Sequence, residues 1–151
     1  MKFAEKVALA VSLKDDLVNL INPIRDLEFL SHSELHFIHI IPTVSLPALY
    51  LEHPLTFPVS EERKNIEAKV LAQLEKKSKD VLPVHFDGKV VYRCLFDQNP
   101  KERFCHYVDE IKASLVIVPT RKRRGLFESS FAQFVVKNTE ANMIFLKYQS
   151  A

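Results

Sequence analysis

Residues 113–126 read Ala-Ser-Leu-Val-Ile-Val-Pro-Thr-Arg-Lys-Arg-Arg-Gly-Leu and join an apolar run to a dense cluster of cations. The run from Ser114 to Val118 is apolar after its first residue, which is typical of a short strand buried on both faces of a sheet. Pro119 ends that run, and the four consecutive cations of residues 121–124 soon follow. The segment therefore predicts a buried parallel strand that leads into a basic loop.

Similar apolar runs recur along the chain and alternate with stretches of helical spacing. We predict five strands, over residues 7–11, 34–41, 89–96, 114–118 and 142–148. Strands that alternate with helices predict a parallel sheet with helices on both faces, which is a three-layer α/β/α fold. No internal repeat or linker divides the pattern, so we predict a single domain over residues 1–151. The apolar stripes of the four predicted helices are Leu17, Leu20, Ile21, Ile24 and Leu27; Ile66, Val70, Leu71 and Leu74; Phe104, Tyr107, Val108 and Ile111; and Phe131, Phe134 and Val135.

Proline and polar residues mark the ends of these elements. Pro23 predicts a kink in the first helix, and Ser60 is predicted to cap the second. Asn99 is predicted to cap the third helix, with Pro100 at its first position. Residues 42–58 hold four prolines and predict a long loop that forms a lid or a contact surface, or is poorly ordered.

The composition is that of a globular protein with a real core. Of the 151 residues 47% are hydrophobic and 26% are charged, and the formal net charge is only +2. No apolar stretch is long enough to cross a bilayer, and the amino-terminal run lacks a cleavage site, so we expect a cytoplasmic protein without a membrane segment. Cys94 and Cys105 are expected to be reduced and partly buried rather than paired.

Signatures of catalysis are missing from the sequence. The chain has two glycines, Gly88 and Gly125, which excludes a Walker loop, a dinucleotide fingerprint and a nucleophile elbow. His36 and His39 are three apart in a predicted strand and therefore face opposite sides of the sheet, which disfavours a shared metal. We predict neither an enzyme nor a metal site.

Ligands of an open parallel sheet bind beyond the carboxyl ends of its strands, where the strand order reverses. There, the start of the last helix offers unpaired amides and serine hydroxyls to an anion, and the basic run offers positive charge. The alternative is that a serine only caps the helix and the cations form a solvated loop. The candidate ligand-binding residues are Ser12, Ile41, Thr120, Arg121, Lys122, Arg123, Ser129 and Ser130.

The segment quoted first resembles the universal stress protein family pattern A-D-L-I-V-M-G-S-R-G-R-G-G-L. Residues 129–138, Ser-Ser-Phe-Ala-Gln-Phe-Val-Val-Lys-Asn, are similar to the family's G-S-V-A-E-K-V-V-R-N. Residues 97–101, Asp-Gln-Asn-Pro-Lys, stand in for its G-D-P turn, and residues 141–147 take the place of P-C-P-V-L-V-V. The resemblance implies a five-stranded parallel sheet in the order 3-2-1-4-5 and frequent homodimers through the last strand.

Many members of that family bind ATP through G-x-x-G, nine residues, then G-S or G-T, assisted by an Asp after the first strand. Here Pro119 and Lys122 stand at the first two glycines, Ser129 at the third, and Ser12 at the Asp; Ser130 is kept. Six residues separate Lys122 from Ser129, three fewer than in the binders. Proline has no amide hydrogen to donate, and a lysine side chain occupies space that glycine leaves open. The usual mode of ATP binding is therefore not expected.

Two functional hypotheses follow. The first is a non-enzymatic stress-response or regulatory protein without a cofactor, which forms a homodimer through its last strand and contacts an unidentified protein partner. The alternative is a module that binds an anion or a nucleotide, with weak binding of ATP or AMP, through the basic loop 120–124 together with Ser129 and Ser130. We do not expect nucleic-acid binding, because the four cations lack an aromatic platform or a recognition helix.

Overall fold

A computed structural model describes residues 5–11, 24–45, 56–121 and 130–148, with backbone only for residues 120, 121, 130, 147 and 148. The strands are β1 (Lys6–Ala10), β2 (Glu34–Pro42), β3 (Val44–Ser45), β4 (Thr56–Phe57), β5 (Lys89–Asp97), β6 (Leu115–Arg121) and β7 (Asn142–Tyr148). The helices are α1 (Ser60–Ser78), α2 (Pro100–Ile111) and α3 (Ser130–Asn138), with a 3-10 turn over Glu28–Leu30. Most of the predicted first helix, including the kink at Pro23, lies outside the described residues.

Five parallel strands form the central sheet in the order β5-β2-β1-β6-β7. Counted along the chain, these are the third, second, first, fourth and fifth long strands, so the expected order is confirmed. The two halves of the sheet meet between β1 and β6, where Val7 pairs with Leu115. The chain is thus wound in both directions from β1, and its switch point lies at the carboxyl ends of these two strands.

Side chains alternate between the two faces of the sheet and build a separate core on each. Leu9 and Phe37 face one core, which α1 covers with Val70 and Leu74. On the opposite face the buried residues include Ala8, Ile38, Val116 and Val118 from the strands, Phe104 and Val108 from α2, and Ala132 and Val135 from α3. The predicted three-layer arrangement is confirmed.

Two predicted boundaries are wrong for identifiable reasons. The fourth long strand does not stop at Val118, because β6 continues beside β7 as far as the pair Arg121 and Tyr148. Ser60 is the first residue of α1 rather than its cap; the cap position is Val59, whose carbonyl accepts the Arg63 N–H at 3.0 Å. Asn99 does precede α2 with Pro100 at the first position, but its side chain makes no capping bond.

The segment predicted as one long loop is structured at both ends. Val44 pairs with Phe57, and Ser45 pairs with Thr56, in an antiparallel two-stranded ribbon. Both members of the first pair are exposed. The remainder of that segment, residues 46–55, lies outside the described part of the chain.

The two cysteines lie on opposite sides of the sheet. Cys94 belongs to the core under α1, and Cys105 belongs to the core between α2 and α3. Both thiols are free and buried, and burial raises the pKa of each to about 11. The sheet separates them, so they cannot form a disulfide with each other without rearrangement of the fold.

Candidate functional site

The carboxyl edge of the sheet at the β1–β6 switch point is the candidate site. Val11, directly after β1, donates its N–H to the carbonyl of Ile38 at 3.0 Å. The Val11 carbonyl is in turn hydrogen-bonded to Nδ1 of His39, 3.1 Å away. The end of β1 is therefore fixed to β2 by backbone and side chain, and the following residue, Ser12, lies outside the described residues.

Pro119 lies in β6 at this edge and not in a loop. It is half-buried and stands opposite Leu146 of β7 in the register. The described pairing of β6 with β1 ends two residues earlier, at Ile117 and Leu9. Beyond Ile117 the strand has one neighbour among the described residues, β7, which explains why a proline without an N–H is tolerated there.

The structure brings part of the candidate set to this edge. Thr120 and Arg121 are strand residues paired with Lys147 and Tyr148, so these two members of the predicted basic loop belong to β6. Ser130 is the first residue of α3, as expected for a helix that begins at the edge. Ser12, Lys122, Arg123 and Ser129 lie outside the described residues.

Ile41, the remaining candidate, is half-buried in β2 beside Phe96 of β5. It packs against the core under α1. The side chain thus contacts the hydrophobic core and lies near the carboxyl end of β2. Its apolar surface can contact a ligand but offers no hydrogen bond.

A polar cluster beside this edge was not predicted from the sequence. Ser45 Oγ is hydrogen-bonded to the Gln98 side-chain amide and lies 3.1 Å from Thr56 Oγ1. Asp97 accepts the N–H of Asn99 on its carboxylate at 2.8 Å. This cluster ties the β3–β4 ribbon to the turn between β5 and α2. Ser45 and Gln98 are 53 residues apart, and no local pattern signals a contact over that separation.

Arg63 also contributes to the structure of this edge. Its Nε donates to the carbonyl of Pro58 at 2.8 Å, and its guanidinium lies 5.7 Å from the centre of the Phe96 ring. These contacts hold the start of α1 against the end of β5. The Arg63 cation is thus engaged in a structural role.

The described part of the edge offers few groups for chemistry. Within the described ranges, no cluster of three His, Cys, Asp or Glu side chains could hold a metal ion. The groups present are hydroxyls, a side-chain amide, a carboxylate and the amino-terminal end of α3. Such groups bind and orient a ligand by hydrogen bonds.

Within the described residues as a whole, no helix is long and apolar enough to cross a bilayer.

A parallel sheet wound in both directions from the β1–β6 switch point defines the chain as a doubly wound α/β protein. The family model described as the universal stress protein family matches residues 8–147. The chain therefore belongs to the universal stress protein family. A search of curated protein sequences found no significant match.

Solved structures of the same fold agree with that assignment. The hypothetical protein PH0823 has a TM-score of 0.70 and 17% identity, over 97% of this chain and 98% of its own. The universal stress protein from Archaeoglobus fulgidus in complex with dAMP has a TM-score of 0.62 and 16% identity, over 97% of this chain and 100% of its own. A universal stress protein in complex with cAMP has a TM-score of 0.62 and 12% identity, over 97% of this chain and 98% of its own. At these identities the likeness shows the fold.

Proposed function

We propose that this chain is a non-enzymatic, cytoplasmic universal stress protein that acts through protein contacts and does not bind ATP in the usual manner of its family. The observation that carries the proposal is the position of Pro119 within β6 at the candidate site. Pro119 occupies the position of the first glycine in the resemblance to the family's nucleotide-binding loop.

A phosphate group at such an edge is held by backbone N–H groups that converge on it. Pro119 has no N–H, and its ring fixes φ near −65°, so residue 119 cannot take the positive φ that glycine can adopt. Its register with Leu146 keeps the backbone in the strand at this point. These features support a site that has lost the close backbone approach to phosphate.

The exposed edge strand supports the second element of the proposal, a homodimer through β7. Among the described strands β7 lies at the end of the sheet, and Met143, Ile144 and Phe145 are only partly buried. On α3, the helix that precedes β7 in the chain, Val136 is 52% exposed. An unpaired strand edge with apolar neighbours is a ready surface for pairing with another chain. We propose that a second copy of the chain covers this edge.

ATP titrated into the purified protein with magnesium present is expected to give no binding with a Kd in the micromolar range or tighter. The physical reason is the missing amide at residue 119. The measurement is isothermal titration calorimetry, with AMP and inorganic phosphate titrated in parallel. A Kd in the low micromolar range would contradict the proposal, because the basic residues would then have rebuilt a phosphate site.

A specific alternative is that the chain binds a nucleotide or anion by a different set of groups. It is favoured by α3, whose first residue is Ser130, and by the dAMP and cAMP found in two proteins of the same fold. The first amides of α3 and the cations of residues 121–124 would then replace the missing amides. If the calorimetry detects binding, Arg121→Ala with Arg123→Ala should abolish it, whereas Lys137→Ala at the other end of α3 should not.

Light scattering is expected to give the mass of a dimer. Asn142 donates its N–H to the carbonyl of Ser114, just before β6, at 3.2 Å. Because successive N–H groups of a strand point to opposite sides, the N–H of Met143 faces the outer edge of the sheet. Met143→Pro removes that outward donor and spares the bonds to β6, so it should shift the protein to the monomer. Met143→Ala, which keeps the N–H, is the control and should stay dimeric. A monomeric natural chain, or a dimeric Met143→Pro protein, would show that β7 is not the interface.

A further inference from the structure

A buried histidine joins the sheet to α2 on the face opposite α1. His36 is 5% exposed, and its Nδ1 lies 2.7 Å from the hydroxyl of Tyr107, which is also 5% exposed. The Tyr107 hydroxyl also receives a hydrogen bond from Nε of Arg93, over 3.3 Å. These three residues, called here the His36 chain, connect β2, α2 and β5. Neither the fold nor the proposed function accounts for a polar chain in this core.

The direction of the hydrogen bonds in the His36 chain follows from the chemistry of its ends. Arg93 only donates, so the Tyr107 oxygen accepts at that side. The Tyr107 O–H is then free to donate, and its partner within the described residues is Nδ1 of His36. Nδ1 must accept this bond and carries no proton. The neutral imidazole is therefore the tautomer with its hydrogen on Nε2.

The other ring nitrogen of His36 lacks a compensating hydrogen bond among the described residues. Nε2 is buried and makes no hydrogen bond within the described part of the chain. The carboxylate of Glu34 is 3.6 Å away, beyond hydrogen-bond length, and is shared with Lys89 at 3.4 Å and Lys6 at 3.9 Å. A charged imidazole here would be stabilised only weakly, because the one nearby carboxylate also interacts with two lysines. It would also face cations from the neighbouring strands.

We propose that protonation of His36 at Nδ1 breaks the His36 chain and weakens the packing of α2 on the sheet, so that the protein senses acidification inside its fold. The new N–H at Nδ1 would meet the O–H of Tyr107, and two donors cannot share one bond. Tyr107 would have to turn its hydrogen away, and a buried hydroxyl that loses its acceptor is destabilising. The proposal does not depend on the ligand or partner of the protein.

Burial of His36, together with the charges around it, determines the direction of the effect on stability. Burial lowers the pKa of His36, and the positive charges of Lys6 on β1 and Arg93 on β5 act in the same sense. Glu34 raises it, but does not outweigh burial. Because the folded value lies below the ordinary value of about 6.5, the stability contribution of neutral His36 is complete above that pH and is lost as the pH falls.

Equilibrium unfolding by urea at about pH 7.5 and about pH 5.5 tests this. Over this range one extra proton bound by the unfolded chain raises the unfolding equilibrium constant by up to about tenfold. We expect His36→Gln to lack this rise, because glutamine can accept the Tyr107 bond but does not titrate in this range. His106→Gln, on the exposed side of α2, should keep the rise. An equal response of the natural chain and His36→Gln would overturn the proposal.

Two further measurements separate the His36 chain from simple burial of a histidine. Tyr107→Phe keeps the ring but removes the bond to Nδ1, so the rise should shrink; an unchanged rise would mean that burial alone is responsible. Nitrogen NMR of the natural chain reports the tautomer without any substitution. The hydrogen should be on Nε2 near neutral pH, and a hydrogen on Nδ1 would contradict the proposed direction of the chain.

Discussion

Gly88→Ala is expected to destabilise the fold by about 3 kcal/mol, at the upper end of the usual cost of overpacking. A methyl group at residue 88 would lie 2.1 Å from the carbonyl oxygen of Ser33 and 2.8 Å from the Phe86 ring. Ser33 is buried, and its carbonyl accepts the N–H of Lys89, the first residue of β5. The backbone at the start of the β2–β5 pairing would have to move.

Urea unfolding of Gly88→Ala beside Asp87→Ala checks this expectation. Asp87 is the adjacent residue, its side chain is 65% exposed, and its contact with His32 is a surface pair that contributes little. The control should therefore unfold within about 1 kcal/mol of the natural chain. If Gly88→Ala were as stable as Asp87→Ala, that result would contradict the close approach of the Ser33 carbonyl to Gly88.

The second large effect is expected for Phe104→Ala, with a loss of about 3–5 kcal/mol. Phe104 is 1% exposed and meets Phe131 of α3 edge to face, with ring centres 5.2 Å apart. Its removal would leave a cavity between α2, α3 and the sheet that rigid strands cannot fill. Because α3 begins at the candidate site, the same change should also loosen that edge.

Thermal and urea unfolding measure this loss, with Val136→Ala as the matched truncation on α3. Val136 is 52% exposed, so its replacement should alter stability by no more than about 0.5 kcal/mol. A loss below about 1 kcal/mol for Phe104→Ala would mean that the surrounding side chains collapse into the space. That outcome would contradict close packing among the buried residues of this face.

Buried elements were predictable because burial leaves a direct trace in the residue types. A parallel strand covered on both faces consists of consecutive apolar residues, and the predicted last strand, residues 142–148, coincides with β7. The α2 stripe was equally clear, since Phe104, Tyr107 and Val108 are all buried. Alternation of such elements leaves few topologies, which is why the class and the strand order were accessible.

Features that depend on distant neighbours were not predictable. Pro119 is an ordinary strand terminator in sequence, but β1 ends early enough for β6 to continue past it. The β3–β4 ribbon has strands of two residues each, too short for any periodicity. His36 and Tyr107 are 71 residues apart, and only the fold brings them together. At the candidate site, sequence identified α3 and the switch point but not the polar cluster that ties the ribbon to β5.

The placement of one cysteine in each core gives the protein a built-in pair of reporters. A thiol reacts as the thiolate, and a pKa of about 11 leaves almost none of it near neutral pH in the closed fold. Modification of Cys94 therefore requires the layer under α1 to open, and modification of Cys105 requires the layer under α2 and α3 to open. The two labelling rates, followed separately, resolve which helical layer detaches first from a common sheet.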